Sequence, residues 1–283
     1  MVSKSLPSYA LRLFAVAGLV STAATQACFA DTLDDITANS KVRIGYANEA
    51  PFAYTSPDGT VTGESPAIAQ KIFHNMGIKE SSSVLTEWGS LIPGLRAKRF
   101  DVIAAGMYIT PERCKQVLFT DPHYQLPDAL LTAAGNPKKL HSYEDIAATG
   151  AKLAIMAGTV ELGYARESGV DDAQILQVPD TTAQLQAVRA GRADAAVGTQ
   201  LTMKGLAAKG GSSVEAITEF NDKPSHIGYG ALAFRPEDKA LRDAVNAELK
   251  KWIGSEEHLA TIKPFGFDKA NITDKTAAQV CGN

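Results

Sequence analysis

Cysteine is scarce in this 283-residue chain, three in all, and no two have the C-x-x-C spacing of a zinc or redox site. Neither sign of charge dominates, since 28 Lys and Arg stand against 31 Asp and Glu. With no broad basic surface, gripping a phosphate backbone is excluded as the main task, and no nucleic-acid partner is expected. The five histidines, at positions 74, 123, 141, 226 and 258, never fall into a metal-ligand spacing such as H-E-x-x-H. There is no G-x-S-x-G elbow and no G-x-x-x-x-G-K phosphate loop. Cys114 lies beside Arg113, which lowers a thiol pKa, yet no partner base is evident. No metal and no cofactor is therefore expected, and the absences favour binding over catalysis. Past the N-terminus no stretch has the ~18 unbroken apolar residues of a membrane span. What remains is an ordinary globular composition, 45% apolar and 21% charged, long enough for one large domain or two medium ones.

Residues 1–30 read as a secretory signal. Lys4 and Arg12 flank the apolar run 13–20, and small residues follow through Ala27-Cys28-Phe29-Ala30. Cleavage is expected near Ala27 or Ala30. Cys28 raises a lipoprotein alternative, for which Thr25-Gln26 is a poor context. The mature chain is expected to be soluble and exported, in the periplasm.

Beyond the leader a strand-turn-helix rhythm sets in. Val42 to Tyr46 reads as a strand and Ser56-Pro57-Asp58-Gly59 as a turn. Ser65 and Pro66 read as N-cap and first residue of a helix, with Ile68, Ile72, Phe73 and Met76 on one face and Gly77 at its end. Strands at 83–86, 102–105, 152–156, 175–178, 195–198 and 229–234 alternate with helices at 91–98, 160–167 and 236–253. Such alternation argues for parallel-type sheets with helices on both faces. Leu95-Arg96-Ala97-Lys98-Arg99-Phe100-Asp101 is echoed by Val188-Arg189-Ala190-Gly191-Arg192-Ala193-Asp194, each ahead of a small-apolar strand. The echo reads either as chance in Ala-rich helix ends or as two similarly built lobes. No linker separates them, so the crossings are expected within strands, near 130–134 and 230–233. That assigns 31–131 and 231–283 to one lobe and 132–230 to the other.

Chemistry-bearing residues cluster where strands end, which in open α/β sheets is where a cleft forms. Glu49 and Phe52 follow the first strand, where a carboxylate and an aromatic can face a cation; the alternative is a Pro-Phe turn packed on the core. Trp88 offers a flat wall or a lid over the core. Tyr108, Thr110 and Arg113 form the densest group. Arg113 stands in a helix's first turn, against the macrodipole, which hints at bidentate carboxylate binding rather than a surface pair with Glu112 or Asp121. Gly158-Thr159-Val160-Glu161 joins a strand to a helix, where free N–H groups attract anions or are simply capped. Cys114 and Cys281 either pair, closing a long loop, or leave Cys281 free in a frayed end.

The Thr110-x-x-Arg113 element, with Gly158-Thr159 and the exported α/β pattern, resembles periplasmic solute-binding proteins of polar amino acid ABC transporters. The resemblance covers the mature chain. It implies the two-lobed type II fold, each lobe a mixed sheet flanked by helices, with two hinge crossovers. It also implies a small-molecule ligand between closing lobes, a membrane permease as partner, and a monomer. Arg113, helped by Gly158 and Thr159, would grip the ligand carboxylate. Two positions depart from the family pattern: Thr199 stands where an Asp commonly receives an α-ammonium, and Tyr108 where Ser is usual. Glu49-Ala50-Pro51-Phe52, Gly63-Glu64-Ser65-Pro66 and Met107 to Cys114 are similar to ectoine/hydroxyectoine-binding proteins. That similarity implies a box of Phe52, Trp88 and Tyr108 around a delocalised cation, with Glu49 as counter-charge. Two other readings stay open: a receptor for a polar or cationic amino acid, with Glu49 or Glu161 replacing the missing Asp, and a secreted dehydratase on this scaffold using Glu161 as acid or base.

Overall fold

A computed structural model describes Met1 and Val2, residues 32–223 and residues 226–282. The leader reading, with Cys28 and its cleavage sites, lies outside the described residues. Along the chain the first half runs Thr32–Asn39 (α1), Lys41–Tyr46 (β1), a small hairpin of Tyr54–Thr55 (β2) and Val61–Thr62 (β3), Glu64–Asn75 (α2), Glu80–Leu85 (β4), Leu91–Arg96 (α3), Val102–Tyr108 (β5), Pro111–Cys114 (α4), Leu118–Phe119 (β6) and Tyr124–Leu126 (β7). Next come Asp128–Ala133 (β8), Tyr143–Thr149 (α5), Leu153–Met156 (β9), Glu161–Glu167 (α6), Ile175–Val178 (β10), Thr181–Arg189 (α7), Ala195–Thr199 (β11), Gln200–Gly210 (α8) and Val214–Ile217 (β12). The chain closes with Gly228–Phe234 (β13), Lys239–Trp252 (α9), Glu256–Ile262 (α10) and Ala277–Cys281 (α11).

Two mixed sheets result. The first has the order β4-β1-β5-β13-β6, with β7 also on β13; the second has the order β10-β9-β11-β8-β12. The orders correspond strand for strand, and in each a single antiparallel strand, β13 or β8, lies beside the third parallel one. The sequence echo has a structural meaning here. Asp101, ahead of β5, accepts from the Arg43 backbone N–H at 3.0 Å and returns its own N–H to the Arg43 carbonyl at 2.8 Å. Asp194, ahead of β11, does the same with Lys152 at 2.7 and 2.8 Å. Each Asp thus staples the central strand of its sheet to the parallel strand beside it.

Apolar side chains alternate across β5 with the period of two expected of a strand covered on both faces. Val102, Ala104 and Tyr108 join the core under α2 and α9, while Ile103, Ala105 and Met107 join the one under α3. Lobe 2 is built alike, with α7 and α8 on one face and α5 and α6 on the other.

Three expectations are corrected. The chain leaves the first sheet at Leu126 and enters the second at Asp128, so Leu130 to Ala133 pair inside the second sheet instead of bridging the lobes. The return lies between Ile217 and Gly228, and Gly230 already pairs with Tyr108 in the first sheet. A short apolar run marks a strand buried in one lobe, whereas a crossing needs only a few residues. Finally, Gly63 rather than Ser65 precedes the first turn of α2, at φ 125°.

Candidate functional site

The loop after β1 forms the floor of a cavity between the lobes, and the first turn of α2 holds it. Glu64 N–H donates to the Pro51 carbonyl and Ser65 N–H to the Phe52 carbonyl, both at 3.0 Å. This close approach requires glycine at 63, where a Cβ would sit 2.5 Å from the Phe52 oxygen. The Glu64 side chain is wholly buried, with Oε1 2.7 Å from His123 Nδ1 and Oε2 accepting from Ser65 Oγ at 2.8 Å.

Phe52, Trp88 and Tyr108 all line the cavity. Phe52 also belongs to the core. Its ring lies 5.2 Å from Tyr124 and 5.5 Å from Phe267, and Gly106 stands below it because a Cβ there would come 2.5 Å from Phe52 Cδ1. The packed Pro-Phe turn and the ligand-facing aromatic are therefore one arrangement. Trp88 donates its indole N–H across the cleft to the Gly158 carbonyl at 3.2 Å. Tyr108 is buried with its hydroxyl unpartnered. Burial, then the charge of Asp128, raises that phenol far above its ordinary range, so it enters any contact as a neutral donor.

Arg113 is buried and makes no pair with Glu112 or Asp121. Its Nη1 donates to the Tyr108 carbonyl at 2.8 Å and its Nη2 to the Gly158 carbonyl at 3.2 Å, with Cζ 5.9 Å from the Trp88 ring centre. Burial lowers its pKa and the Glu161 carboxylate raises it. Guanidinium N–H groups remain for a ligand carboxylate beyond these two bonds. The helix carrying Arg113 is fixed at both ends. Thr110 caps it by accepting the Arg113 backbone N–H at 3.2 Å, and Cys114 is disulfide-bonded to Cys281.

From the second lobe come Thr159, Glu161, Gln184 and Thr199. Gln184 Nε2 donates to the Val197 carbonyl at 2.8 Å. Thr199 caps α8 through its hydroxyl, and Thr202 one turn on donates to Glu49 Oε1 of the opposite lobe at 2.9 Å. Burial first, then the Glu161 charge, pushes Glu49 up to about 7 against that hydrogen bond. Glu161 is raised by burial and held down by Thr159 and then Arg113. Carboxyls outnumber the one guanidinium along these walls, so the cavity accepts positive charge readily.

Seven of the nine expected residues, Glu49, Phe52, Trp88, Tyr108, Arg113, Thr159 and Glu161, line this single cavity. Two do not. Thr110 faces an outer groove and acts as a helix cap, because its hydroxyl is spent on the Arg113 N–H. Gly158 contributes its carbonyl, taken by Trp88 and Arg113, rather than an anion-binding N–H. The Thr159 N–H and hydroxyl both turn to the Met156 carbonyl, at 3.3 and 2.9 Å. Thr202, Gln184 and the Glu64–His123 pair were not singled out beforehand; only the motif Gly63 to Pro66 pointed at any of them.

The family model of bacterial extracellular solute-binding proteins, family 3, matches residues 42–266. The chain belongs to that family. A relative in Sinorhizobium fredii (strain NBRC 101917 / NGR234), a probable amino-acid ABC transporter periplasmic-binding protein, is 36% identical over 298 aligned positions, covering 100% of this chain and 98% of its own. The crystal structure of EhuB in complex with hydroxyectoine superposes with a TM-score of 0.83 at 34% identity, covering 88% of this chain and 97% of that one. The ancestral amino acid-binding protein AncCDT-1, a precursor of cyclohexadienyl dehydratase, superposes at 0.72 with 27% identity, covering 83% and 99%. The two-lobed type II fold is thereby shown, and with it an extracytoplasmic solute-binding role.

Proposed function

We propose that the protein is the receptor of an ABC importer and captures ectoine or hydroxyectoine between its closing lobes. One observation carries the reading: three aromatic faces, two carboxyls and one buried guanidinium meet in a single interlobe cavity. A cyclic zwitterion with a delocalised amidinium matches that set. Phe52, Trp88 and Tyr108 would embrace the amidinium, each face contributing ~0.5–2 kcal/mol when desolvated. Glu49 supplies its counter-charge and Arg113 takes the carboxylate. The likeness to the hydroxyectoine complex supports the same ligand class.

Closure follows from differential affinity, because the cavity walls come from both lobes and only the closed state offers all contacts at once. The loaded protein then hands its solute to a membrane permease. The site requires no chemical step, and Glu161 serves as an electrostatic wall rather than an acid or base. The excess of carboxyls favours one second reading, a receptor for a cationic amino acid. Calorimetric titration with ectoine, hydroxyectoine, proline, glycine betaine and the standard amino acids separates the two. Tight binding of an ectoine, returned unchanged, is expected. Tight binding of an amino acid with none of either ectoine rejects the ligand and spares the receptor.

A further inference from the structure

Asp128 is the first residue of the second lobe after the outward crossing, following Pro127 directly. It is 2% exposed, and neither carboxyl oxygen has a hydrogen-bond partner. In the β8–β11 ladder it stands directly opposite Thr199, a cavity-lining residue, and directly opposed side chains share a face. That face carries Leu130, Val197 and Tyr143.

Asp128 is not alone in lacking partners. The hydroxyls of Tyr108 and Tyr143 and one oxygen each of Glu161 and Asp222 are also buried and unpartnered, while Tyr108 and Glu161 line the cavity itself. The neighbourhood is continuous by ring contact. Tyr164 stacks on His226 at 3.8 Å, His226 meets Tyr143 at 6.4 Å, and His226 Nδ1 is 2.6 Å from Asp222 Oδ1. Glu49 holds a hydroxyl hydrogen bond from Thr202. Asp128 is the carboxyl with both oxygens buried outside any hydrogen bond of good geometry, although the Tyr143 hydroxyl acts on it, and so many orphaned polar atoms in one place call for an occupant.

We propose that Asp128 sets the charge preference of the solute site, selecting ligands that carry a positive group from one residue behind the cavity wall. The inference rests on the interlobe cavity being the solute site. Asp128 works with Glu49 and Glu161, which bound the same cavity from the first and second lobes. The charges of Glu161 on α6, Asp222 in the return segment and Glu49 after β1 act on it, and its own charge acts on Tyr108 on β5, Tyr143 on α5 and Tyr164 on α6. Burial and the charges of Glu161, Asp222 and Glu49 raise its pKa against a smaller opposing effect of the Tyr143 hydroxyl, so the empty site favours the neutral carboxyl. A cation entering beside Tyr108 and Glu161 stabilises the carboxylate and expels that proton. Binding of a cation-bearing ligand therefore releases protons and tightens as pH rises.

The test is calorimetric titration of the wild type and Asp128→Asn with ectoine, L-arginine and L-glutamate, each in two buffers of different ionisation enthalpy. For whichever of ectoine and arginine the wild type binds tighter, Asp128→Asn is expected to weaken binding on the order of tenfold or more. It should narrow the margin over glutamate and reduce the protons released, and Asp128→Glu should restore both. Equal weakening for all three ligands with an unchanged proton count would assign Asp128 a structural role and overturn the proposal, as would unchanged affinities. Binding of arginine without ectoine removes the ectoine reading alone, and the arginine titration then decides on Asp128. A wild type that binds none of the three overturns both. If Asp128→Asn does not fold, wild-type binding without proton release refutes the proposal, and release that persists in Glu49→Gln and Glu161→Gln upholds it.

Discussion

Glu49 gives a quantitative handle on lobe closure. In the closed structure its carboxyl lies under Thr202 of the opposite lobe and its pKa is raised from 4.5 to about 7. A group raised in one state favours that state fully below its ordinary pKa, and the advantage is lost as pH climbs through the raised value. With an open cleft returning Glu49 to the carboxylate range, closure takes up one proton through this residue between pH 4.5 and 7. The closing equilibrium then weakens about tenfold per pH unit, about 3 kcal/mol across the window. Fluorescence transfer between one dye on each lobe reports the closed fraction of the ligand-free protein. Glu49→Gln is expected to lower the slope of the closing constant by one proton over this range while leaving the rest. An identical slope in the wild type and Glu49→Gln would refute the argument.

Arg113→Ala should weaken the solute at least a hundredfold, as expected when a buried charge partner is removed, whereas Arg113→Lys keeps the charge but loses the fork and should recover only part, both read by calorimetry. Gly158→Ala places a Cβ 3.0 Å from Gly89 Cα at a φ of 84°, so solute affinity should fall about tenfold through hindered closure. Thermal unfolding of the ligand-free variant should also shift down modestly, because a Cβ strains the left-handed backbone at 158. The Cys114–Cys281 bond spans 167 residues, for which chain entropy sets a contribution of up to about 5 kcal/mol. The double Ser variant should lose about 2–5 kcal/mol in denaturant titration.

Much of this design was legible one residue at a time. Strand ends with Glu, Phe, Trp, Tyr and Arg marked the cleft because each was read against its own strand and turn, and the sheets then brought them together. The paired Asp101 and Asp194 were visible as an echo, though their shared task of tying a central strand to its parallel neighbour needed the structure. What escaped depended on distance along the chain. Thr202 meets Glu49 from 153 residues away and His123 meets Glu64 from 59, and no local pattern announces either. No local pattern marks Asp128, a polar residue ahead of an apolar run. The crossing itself sat unnoticed at Pro127, because the apolar run after it was mistaken for a bridge.

The reversed descent of β13 into the first sheet has a consequence for biogenesis. Lobe 2 is one uninterrupted stretch, and all five of its strands are in hand by Ile217. Lobe 1 lacks the strand between β5 and β6 until Gly228–Phe234 arrives. As the chain emerges in order, the inserted half matures first, and the half that began earlier must wait for its keystone. Pulsed hydrogen exchange during refolding should protect β8, β9 and β11 before β5, and this asymmetry keeps the earlier half unfinished during export.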